Sequence, residues 1–589
     1  MTGSSPARRR RARLRPAAVL VVVLAVSLVF FGKLFTVQVV EADTLVEQSK
    51  GRREVVRTVE GARGPITDAS GVELAASVAR YTVQASPRLA ADAGTLDRDV
   101  PRIAEALQLR EKTVRRALTR DPGSDYAVLA KAVPLERFEA VKRLEIPWLT
   151  YDVVPERVYP NGAVAGNLVG FVGAGGEAQA GVEYAQDSCL AGTDGEVVYE
   201  RAADGTQIPG TATITTEAKQ GGAVTLTIDR DLQWYAQQVL GARAEQVGAS
   251  WGAVVVQEVR TGRLLAVADW PTVDPNDVDA TASRDTASLG SRAFTAPFEP
   301  GSTMKTVTLA ALLDAGLADP GTRVAAPYRY TTPAGADVTD SHFHPTQRLT
   351  ATGVLVESSN TGTSMLGDAM ADARRFEYLK AFGFGTATEV GFGAESGGDL
   401  GANAPQWDAQ SKYATMFGQG LTTTAVQMAS AYATIGNGGV RTPVVLVDRC
   451  TAADGTVVTA GADAGPDAGE RVLSADAARD TVRMLENVAT KGWLKAEVAI
   501  PGYRVGMKTG TAQRSDGRGG YAKGYLVSMA GLAPADDPRY VVYVVLNDPV
   551  RMNTSQATAP VFRQVMTRVL QQQGVVPSGS TSPDLPMGY

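Results

Sequence analysis

The chain has 589 residues, of which 44% are hydrophobic, with 61 glycines and 30 prolines. This length is enough for two or three domains, and the composition is typical of a globular protein with many turns rather than of a disordered one. The formal net charge of -5 argues against a nucleic-acid-binding protein, so we expect no nucleic-acid partner.

An apolar segment near the N-terminus predicts a membrane anchor. The basic stretch ARRRRARLR (Ala7–Arg15) precedes residues 17–40, whose only charge is Lys33. As a helix these residues would span about 36 Å, more than the ~30 Å core of a bilayer. The basic flank predicts that residues 1–16 stay in the cytoplasm and that the rest of the chain lies outside the membrane. A cleaved signal peptide is the alternative, but the apolar run is longer than such peptides carry.

Residues 41–221 are interpreted as a strand-rich extracytoplasmic module. Apolar residues alternate between glycine-containing turns from Arg57 to Pro87, which predicts short strands, and Asp97–Arg120 has the spacing of an amphipathic helix. The two cysteines, Cys189 and Cys450, lie far apart in sequence. We expect them in different domains, as two unrelated thiols rather than a disulfide.

Residues 222–574 have a different character. Pairs of apolar strands are predicted near both ends, over Gly252–Pro271 and Tyr525–Asp548, around a long helical middle. This order predicts a mostly antiparallel sheet flanked by helices, an α+β or α/β architecture. Residues 575–589, rich in proline and serine, are predicted to be a disordered tail.

The stretch FEPGSTMK (Phe298–Lys305) places a serine and a lysine where an apolar helix begins. One helical turn would bring Ser302 and Lys305 to the same face. A serine hydroxyl needs a neighbouring base to become a nucleophile, and lysine serves only if its pKa falls well below about 10.4. Taken alone, the pattern fits equally a capping serine followed by a solvent-exposed lysine.

Two later stretches favour the chemical interpretation. An S-x-N triplet occurs at Ser358 to Asn360, and K-T-G-T lies on a predicted strand within Val505–Ala512. The glycine of that strand would let a substrate backbone lie close to the strand edge, and its threonines would direct hydroxyls into a cleft. S-x-x-K, S-x-N and K-T-G in this order form the motif set of penicillin-binding proteins and class A β-lactamases.

The chain resembles a class B penicillin-binding protein over most of its length. RGPITD (Arg63–Asp68), RVYPNG (Arg157–Gly162) and GVEY (Gly181–Tyr184) resemble elements of that family's non-catalytic pedestal domain. FEPGSTMK, ESSNTG, KTGTAQ and the long stretch Phe417–Gly439 resemble its catalytic part. The last two of these stretches, together with GLAPADDPRY (Gly531–Tyr540), most resemble the cell-division (septal) subgroup, the peptidoglycan D,D-transpeptidase.

The resemblance implies an architecture and a set of partners. The architecture is a single transmembrane helix, a strand-rich elongated pedestal of the dimerisation type at 41–221, and a transpeptidase domain at 222–574. That domain would hold a five-stranded antiparallel sheet similar to serine β-lactamases. The implied ligands are stem peptides ending in D-Ala-D-Ala and β-lactam antibiotics, with no cofactor or metal. An inner-membrane glycan polymerase and other division proteins are the implied protein partners.

The resemblance also implies roles for individual residues. Ser302 would attack the carbonyl between the last two D-alanines, Lys305 would accept its proton, and Ser358 would relay a proton to the leaving amine. Backbone N–H groups of Ser302 and Thr511 would form the oxyanion hole. The positive field of Lys508 would help to keep Lys305 neutral. The implied substrate-binding residues are Asn360, Thr509, Gly510 and Thr511.

Other enzyme classes with related chemistry would need residues that this sequence lacks or would use the same motifs. A bifunctional polymerase–transpeptidase would need a histidine-containing N-terminal domain, and no histidine precedes His342. A β-lactamase would need a glutamate in an E-x-x-L-N loop, which is absent between Asn360 and Lys508. His342 and His344 are interpreted as loop residues, because no third metal ligand is evident. An elongation-type class B transpeptidase, a D,D-carboxypeptidase and an inactive division scaffold stay open.

Overall fold

The structure is a computed structural model that describes residues 6–202, 208, 210–460, 469–515 and 520–589. The chain forms two compact units. Unit 1 comprises Met1–Gly61, Ala79–Val154 and Thr193–Lys219, and unit 2 comprises Ala62–Val78, Pro155–Gly192 and Gln220–Tyr589. The units interleave along the chain, so two segments of the predicted pedestal, 62–78 and 155–192, belong to unit 2.

The described residues contain both helices and strands, often in runs of one type. The helices are α1 Pro6–Phe35, α2 Ala42–Arg53, α3 Pro87–Ala93, α4 Leu96–Leu107, α5 Glu111–Thr119, α6 Leu135–Lys142, α7 Gly166–Val169, α8 Gly181–Ala185, α9 Asp187–Leu190, α10 Arg230–Val247, α11 Val278–Ala282, α12 Arg292–Thr295, α13 Met304–Asp314, α14 Ala351–Glu357, α15 Asn360–Gly367, α16 Asp372–Ala381, α17 Ala409–Ala414, α18 Ala425–Gly436, α19 Ala475–Lys491, α20 Lys495–Val498 and α21 Ala559–Gln572. The strands are β1 Glu54–Val59, β2 Ile66–Thr67, β3 Glu73–Ala85, β4 Ala127–Val133, β5 Leu149–Val158, β6 Gly195–Glu200, β7 Thr213–Thr216, β8 Ala223–Leu226, β9 Trp251–Glu258, β10 Leu264–Trp270, β11 Arg323–Ala326, β12 Arg329–Thr331, β13 Asp337–Thr339, β14 Gln347–Thr350, β15 Val440–Arg441, β16 Val447–Thr451, β17 Val457–Ala460, β18 Glu470–Arg471, β19 Gly506–Ser515, β20 Tyr521–Ala533 and β21 Tyr540–Asn547.

The N-terminal apolar segment is helical, as predicted. It consists of α1 and a π-helical turn, Thr36–Val40. The 24 residues Ala17–Val40 have a mean hydropathy of 2.6 and are long and apolar enough to cross a membrane. Residues 1–5 of the predicted cytoplasmic tail lie outside the described residues.

Unit 1 is built from short strands and amphipathic helices. β1, β6 and β7 form one antiparallel sheet, and β3 pairs with β4. The apolar faces of α4, α5 and α6 enclose a core that includes Ile103, Leu118 and Phe138. The predicted helical segment Asp97–Arg120 is two helices rather than one, because Gln108 adopts the left-handed conformation (φ 54°) that ends α4.

The three pedestal-like sequence stretches meet at one buried carboxylate in unit 2. Glu183 is fully buried, and its oxygens bind Arg63 (Nη2–Oε2 3.0 Å) and Arg157 (Nε–Oε1 2.6 Å). Arg157 also donates to the carbonyl of Gly64 at 2.8 Å. Arg63 also pairs with Asp187 at 2.6 Å, so removing the Glu183 carboxylate would take one of two ion pairs from Arg63 and the ion pair with Glu183 from the buried Arg157 side chain. The three stretches therefore depend on one another.

Unit 2 contains the predicted five-stranded sheet, in the order β10-β9-β21-β20-β19, with every pair antiparallel. β21 is buried at every position from Tyr540 to Asn547. A strand is buried in this way only when helices cover both faces of its sheet. α10 with α21, and α18 with α19, form the helix pairs that contact the sheet. The prediction of an antiparallel sheet flanked by helices is confirmed, and β19, the strand with K-T-G, lies at its edge.

The two cysteines form a disulfide, which the sequence analysis did not predict. Cys189 lies in α9 and Cys450 lies in β16, and their Cα atoms are 6.4 Å apart. Both belong to unit 2. The prediction of two unrelated thiols is wrong, because the segment 155–192 folds onto β8 and its neighbour β16. A sequence separation of 261 residues carries no information about that contact.

Residues 575–589 belong to unit 2 and are hydrogen-bonded to its other residues. This corrects the prediction of a disordered tail. Asn487 of α19 is fully buried, donates to the carbonyl of Pro583 (3.0 Å) and accepts from the N–H of Leu585 (3.1 Å). Further along, the carbonyl of Met587 accepts from the N–H of Thr350 (3.0 Å). The Pro/Ser composition precludes a helix, but extended backbone whose polar groups are paired is also a stable arrangement.

Candidate active site

The candidate nucleophile, Ser302, lies in a 3-10 turn, Gly301–Thr303, that leads into α13. Gly301 has a φ of +58°, and a Cβ atom there would lie 2.7 Å from the carbonyl oxygen of Thr511. Glycine therefore allows the turn to pack directly against β19. Ser302 is half-buried, and within the described part of the chain its hydroxyl forms no hydrogen bond. That hydroxyl is available to a ligand.

Lys305 is fully buried on the first turn of α13. Its Nζ donates to the backbone carbonyl of Ser358 and, over 3.3 Å, to the hydroxyl of the same residue. Burial lowers the pKa of Lys305 to about 7, while the Asp340 carboxylate acts in the opposite direction. An amine whose pKa lies near neutrality can accept a proton at physiological pH.

Lys508 reaches the same serine from β19. Its Nζ donates to Ser358 Oγ at 2.9 Å and to the carbonyl of Thr509 at 3.2 Å. Burial lowers the pKa of Lys508 well below its usual value, and the charge of Lys305 lowers this pKa further. The resemblance implies that Lys508 keeps Lys305 neutral. In the structure burial is the main cause for Lys305, and the repulsion between the two amines acts on Lys508.

Ser358 is the C-cap of α14 and has a φ of +59°. Side chains other than glycine, asparagine and aspartate rarely adopt this conformation, and it is concentrated at functional sites. It directs the Ser358 hydroxyl toward both lysines, since Oγ lies 3.3 Å from Lys305 Nζ and 2.9 Å from Lys508 Nζ.

Asp340 holds the S-x-N triplet in place, a role that the sequence analysis missed. Its carboxylate accepts from the hydroxyl of Ser359 (2.7 Å) and from the N–H groups of Asn360 and Thr361. His344 Nε2 lies 3.0 Å from the same carboxylate. Asp340 lies in the stretch DSHFHP, of which only the two histidines were considered as possible functional residues. Among the described residues no group of three or more potential metal ligands occurs.

Asn360 lies at the start of α15 and is half-buried. Its side-chain nitrogen donates to the carbonyl of Thr339 at 2.9 Å. Its side-chain oxygen accepts no hydrogen bond from the described residues. An amide oxygen fixed in this way can accept from a peptide N–H.

The K-T-G-T residues of β19 face in alternating directions. Thr511 is exposed, and Thr509 is nearly buried on the same face. A Cβ atom on Gly510 would lie 2.3 Å from Ser528 Oγ and 2.8 Å from the carbonyl oxygen of Pro300. Gly510 is therefore required where β19 packs against the nucleophile turn, which differs from the predicted reason, room for a substrate backbone.

Tyr432 supports the nucleophile turn from α18, and its role was also not predicted. Its ring is fully buried, and its hydroxyl donates to the carbonyl of Thr303 (3.0 Å) and binds Thr306 Oγ1 (2.8 Å). A buried tyrosine hydroxyl needs such partners. In the sequence this tyrosine is only one residue of the stretch Phe417–Gly439.

The structure brings most of the predicted site residues together. Hydrogen bonds join Lys305, Ser358 and Lys508 directly, and the contact of Gly301 with Thr511 places Ser302 beside β19. The site thus combines a free hydroxyl, two buried amines of lowered pKa and a second hydroxyl between them. This combination suits acyl transfer through a serine, because one amine can remove a proton and the second hydroxyl can pass it on.

Two family models match the chain. The penicillin binding protein transpeptidase domain matches residues 252–567, and the penicillin-binding protein dimerisation domain matches residues 58–226. The chain is 33% identical to penicillin-binding protein PbpB of Mycolicibacterium smegmatis, over 96% of this chain and 91% of that protein. It is 32% identical to peptidoglycan D,D-transpeptidase FtsI of Escherichia coli K12, over 94% of this chain and 91% of that protein.

A solved structure shares the fold. It is the crystal structure of penicillin binding protein 3 from Mycobacterium tuberculosis complexed with aztreonam. The match has a TM-score of 0.69 and 28% sequence identity, and it covers 90% of this chain and all of that one.

Proposed function

Since the chain belongs to the family of penicillin-binding protein transpeptidases, we propose that it cross-links peptidoglycan stem peptides through an acyl-enzyme on Ser302. The family assigns the reaction class, a serine D,D-transpeptidase. One observation carries the assignment to residues. Lys305 and Lys508, both buried and both with lowered pKa, converge on Ser358 beside the turn that holds Ser302.

The first half-reaction is acylation. Neutral Lys305 takes the proton from Ser302 Oγ, which attacks the carbonyl carbon of the penultimate D-alanine. The N–H groups of Ser302 and Thr511 donate to the oxygen that becomes negative in the tetrahedral intermediate. As the peptide bond breaks, Ser358 passes a proton to the departing amine of the terminal D-alanine. The hydrogen bonds of Ser358 to both lysines support this relay.

The second half-reaction returns the serine. The amine of a second stem peptide attacks the acyl-enzyme carbonyl and loses a proton, a new peptide bond forms, and Ser302 Oγ recovers its proton. In the first half-reaction the terminal carboxylate of the donor binds near Lys508, Thr509 and Thr511, and it leaves with the released D-alanine. Asn360 accepts from the donor backbone through its free amide oxygen.

β-Lactams should acylate the same serine. Aztreonam, the compound bound to the Mycobacterium tuberculosis relative, is a β-lactam. Intact-mass measurement after incubation with benzylpenicillin tests the proposal. We expect one adduct per wild-type chain and none on Ser302→Ala, with Ser291→Ala as a control because Ser291 is buried away from the cleft, against Asp269. A wild-type chain without an adduct, or an equal adduct on Ser302→Ala, would refute it.

Cross-linking rather than hydrolysis is the proposed outcome, because the chain matches FtsI and PbpB along almost its whole length. Purified enzyme would be given a D-Ala-D-Ala donor peptide with and without an amine acceptor. We expect an acceptor-dependent cross-linked product. Release of D-alanine with water as the only acceptor would instead identify a D,D-carboxypeptidase.

The cellular setting is part of the proposal. The segment Ala17–Val40 anchors the protein in the membrane, with residues 1–16 in the cytoplasm and the following domains outside. The resemblance of Gly531–Tyr540 to the cell-division subgroup, together with the similarity to peptidoglycan D,D-transpeptidase FtsI, favours a septal role with an inner-membrane glycan polymerase and other division proteins as partners. A tagged copy should concentrate at mid-cell, and labelling along the side wall would favour the elongation role.

A further inference from the structure

Residues 575–589 form an extended segment, the clasp, that contacts three parts of the catalytic unit in succession. These parts are the residues leading into β19, the helix α19, and the β14–α14 region. Two of the three carry groups of the proposed site. β19 carries Lys508, and α14 ends at Ser358.

At its start the clasp is bound next to β19. The N–H of Ser578 donates to the carbonyl of Gly502 (2.8 Å), and its hydroxyl accepts from the N–H of Arg504 (3.1 Å). The Arg504 side chain donates to Ser580 Oγ at 2.8 Å. The strand begins two residues after Arg504, so these bonds hold the chain that enters it.

In its middle the clasp crosses α19. Buried Asn487 donates to the carbonyl of Pro583 and accepts from the N–H of Leu585. Lys491 donates to the carbonyl of Leu585 (2.6 Å) and pairs with Asp584. α19 itself packs against both β19 and α14, so the clasp is attached to the element that lies between them.

At its end the clasp lies on the first turn of α14. The N–H of Thr350 donates to the carbonyl of Met587 (3.0 Å), and its hydroxyl donates to the carbonyl of Pro586 (2.6 Å). A Cβ atom on Gly353 would lie 1.9 Å from Met587 O. The approach is possible only because residue 353 is glycine. α14 has seven residues and is about 10 Å long, so a shift at this end is transmitted to Ser358.

Tyr589 fixes the last contact. Its ring centroid lies 4.9 Å from the guanidinium carbon of Arg323 and 4.6 Å from that of Arg348. These arginines lie on the paired strands β11 and β14. Two cation–π contacts on one ring are a specific attachment rather than incidental packing.

We propose that the clasp positions Ser358 against Lys305 and Lys508 and so sets the acylation rate. This inference rests on the proposed function. Ser358 and Lys508 are 150 residues apart in sequence, yet Ser358 Oγ and Lys508 Nζ lie 2.9 Å apart, and the proposed relay depends on this hydrogen bond. The clasp is hydrogen-bonded on both sides of that contact, beside β19 and at the start of α14. Losing it lets α14 and β19 separate without unfolding either element.

A truncated chain that ends at Gly574, and so lacks only the clasp, tests this directly. The second-order rate constant for acylation by a fluorescent penicillin would be measured in detergent, together with its pH profile. We expect a fall of about tenfold or more, because a misplacement of about 1 Å can cost ~10²-fold. The midpoint of the pH profile should also move, because Lys305 loses its fixed position beside Ser358. A synthetic peptide of residues 575–589 should restore the rate.

Point variants address the two ends of the contact with α14. Gly353→Ala should slow acylation to a similar extent and should add nothing in the truncated chain, since both changes break one contact. Tyr589→Ala should lower the acylation rate, whereas Tyr589→Phe, which keeps the ring, should acylate at close to the wild-type rate. Thr581→Ala is the control, because Thr581 is exposed and has no hydrogen bond within the described chain.

The outcomes separate the two proposals. An unlabelled wild-type chain refutes the proposed function. A labelled wild type with an equally fast truncated chain and an unchanged pH profile overturns the clasp proposal alone. A lowered melting temperature with an unchanged rate has the same meaning, because it indicates a merely structural tail. If the truncated chain does not fold, the comparison of Tyr589→Ala with Tyr589→Phe decides.

Discussion

Burying two lysine amines close together disfavours their charged forms, and this effect makes a neutral amine available for proton transfer. Lys305 and Lys508 are both fully buried, and each has a lowered pKa. Burial disfavours the charged form of a lysine, and a second amine disfavours it again. Strongly shifted pKa values of this kind are concentrated where proteins perform proton transfer. The pocket therefore holds an amine, Lys305, that can act as the proposed base near neutral pH.

The pH dependence of acylation follows from the pKa of Lys305. In the proposed mechanism this lysine acts only when neutral, and burial lowers its pKa to about 7. We therefore expect the acylation rate constant to rise with pH through about 7 and to level off above it. Lys305→Arg, whose side chain stays charged, should lose ~10²–10⁴-fold. Stopped-flow labelling with a fluorescent penicillin would measure both effects.

The exposed Lys495 offers a matched control for that experiment. Lys495→Arg should keep the wild-type rate and profile. A flat profile across neutral pH, or wild-type activity in Lys305→Arg, would show that another group is the base.

Asp340→Asn tests the electrostatic link between the S-x-N triplet and the base. Loss of the carboxylate removes the attraction that raises the pKa of Lys305, so the acid limb of the rate profile should move below about 7. The amide also cannot accept from every donor that Asp340 binds. We expect a loss of about 1–3 kcal/mol in the free energy of unfolding. The exposed Asp92 supplies the control variant Asp92→Asn. An unmoved acid limb would contradict this role.

At the scale of elements, the site depends on two backbones lying very close together. β19 packs against the turn Gly301–Thr303 because both sides carry glycine at the contact. Gly301 faces Thr511 of the strand, and Gly510 faces the carbonyl of Pro300. This approach sets the distance from Ser302 to the N–H of Thr511, and hence the size of the proposed oxyanion hole.

Gly510→Ala should separate these elements. The added Cβ would lie 2.3 Å from Ser528 Oγ and 2.8 Å from Pro300 O, so the strand must move. We expect a folded protein whose acylation rate falls by ~10²-fold, since a displacement of about 1 Å can cost that much. Circular dichroism would report folding, and penicillin labelling would report the rate.

Gly290→Ala is the control for steric crowding, because a Cβ at Gly290 would meet no atom within 4 Å. It should leave both measurements unchanged. If Gly510→Ala acylated as fast as wild type, the close contact of strand and turn would not govern the site.

At the scale of the whole molecule, the disulfide joins two cysteines of unit 2 and closes a long loop of the chain. Cys189 and Cys450 are 261 residues apart. Disulfides persist in oxidising compartments, which agrees with the extracytoplasmic location proposed for these residues. In the chain-entropy model a crosslink over a long loop stabilises the native state by restricting the unfolded one.

The double variant Cys189→Ser, Cys450→Ser should lose about 2–5 kcal/mol of stability. We expect a reductant to lower the melting temperature of the wild type to that of the variant and to leave the variant unaffected. Thiol alkylation should require prior reduction in the wild type. A wild-type melting temperature that does not respond to reduction would rule out a stabilising role for this bond.

Much of the fold and site was predictable because it depends on local patterns. The apolar run 17–40 predicts a helix by length, and β21 appears as an apolar run bounded by turns. S-x-x-K brings Ser302 and Lys305 together within one helical turn, whichever fold surrounds them. The proximity of the other site residues could be predicted only from the resemblance to a family, since sequence spacing alone does not bring Ser358 to Lys508.

The features that were missed are all contacts between distant segments. Asp340 is separated by about one strand and one helix from the triplet it holds, and Tyr432 reaches the nucleophile turn from another helix. The Cys189–Cys450 bond and the ordered residues 575–589 are of the same kind. Composition indicates neither partner of such contacts, so a Pro/Ser-rich tail and an ordered clasp look alike in sequence.

Local patterns in the sequence identify the chemistry available to this protein: a serine and lysine on one turn, two further motifs, an apolar N-terminal helix and an antiparallel sheet. These follow from covalent neighbours and from short periodic patterns. The burial of the amines, the geometry set by Asp340 and Gly510, and the contact of the clasp with α14 are evident only in the folded protein. The physical reason is that burial, pKa and close packing depend on atoms brought together from distant parts of the chain.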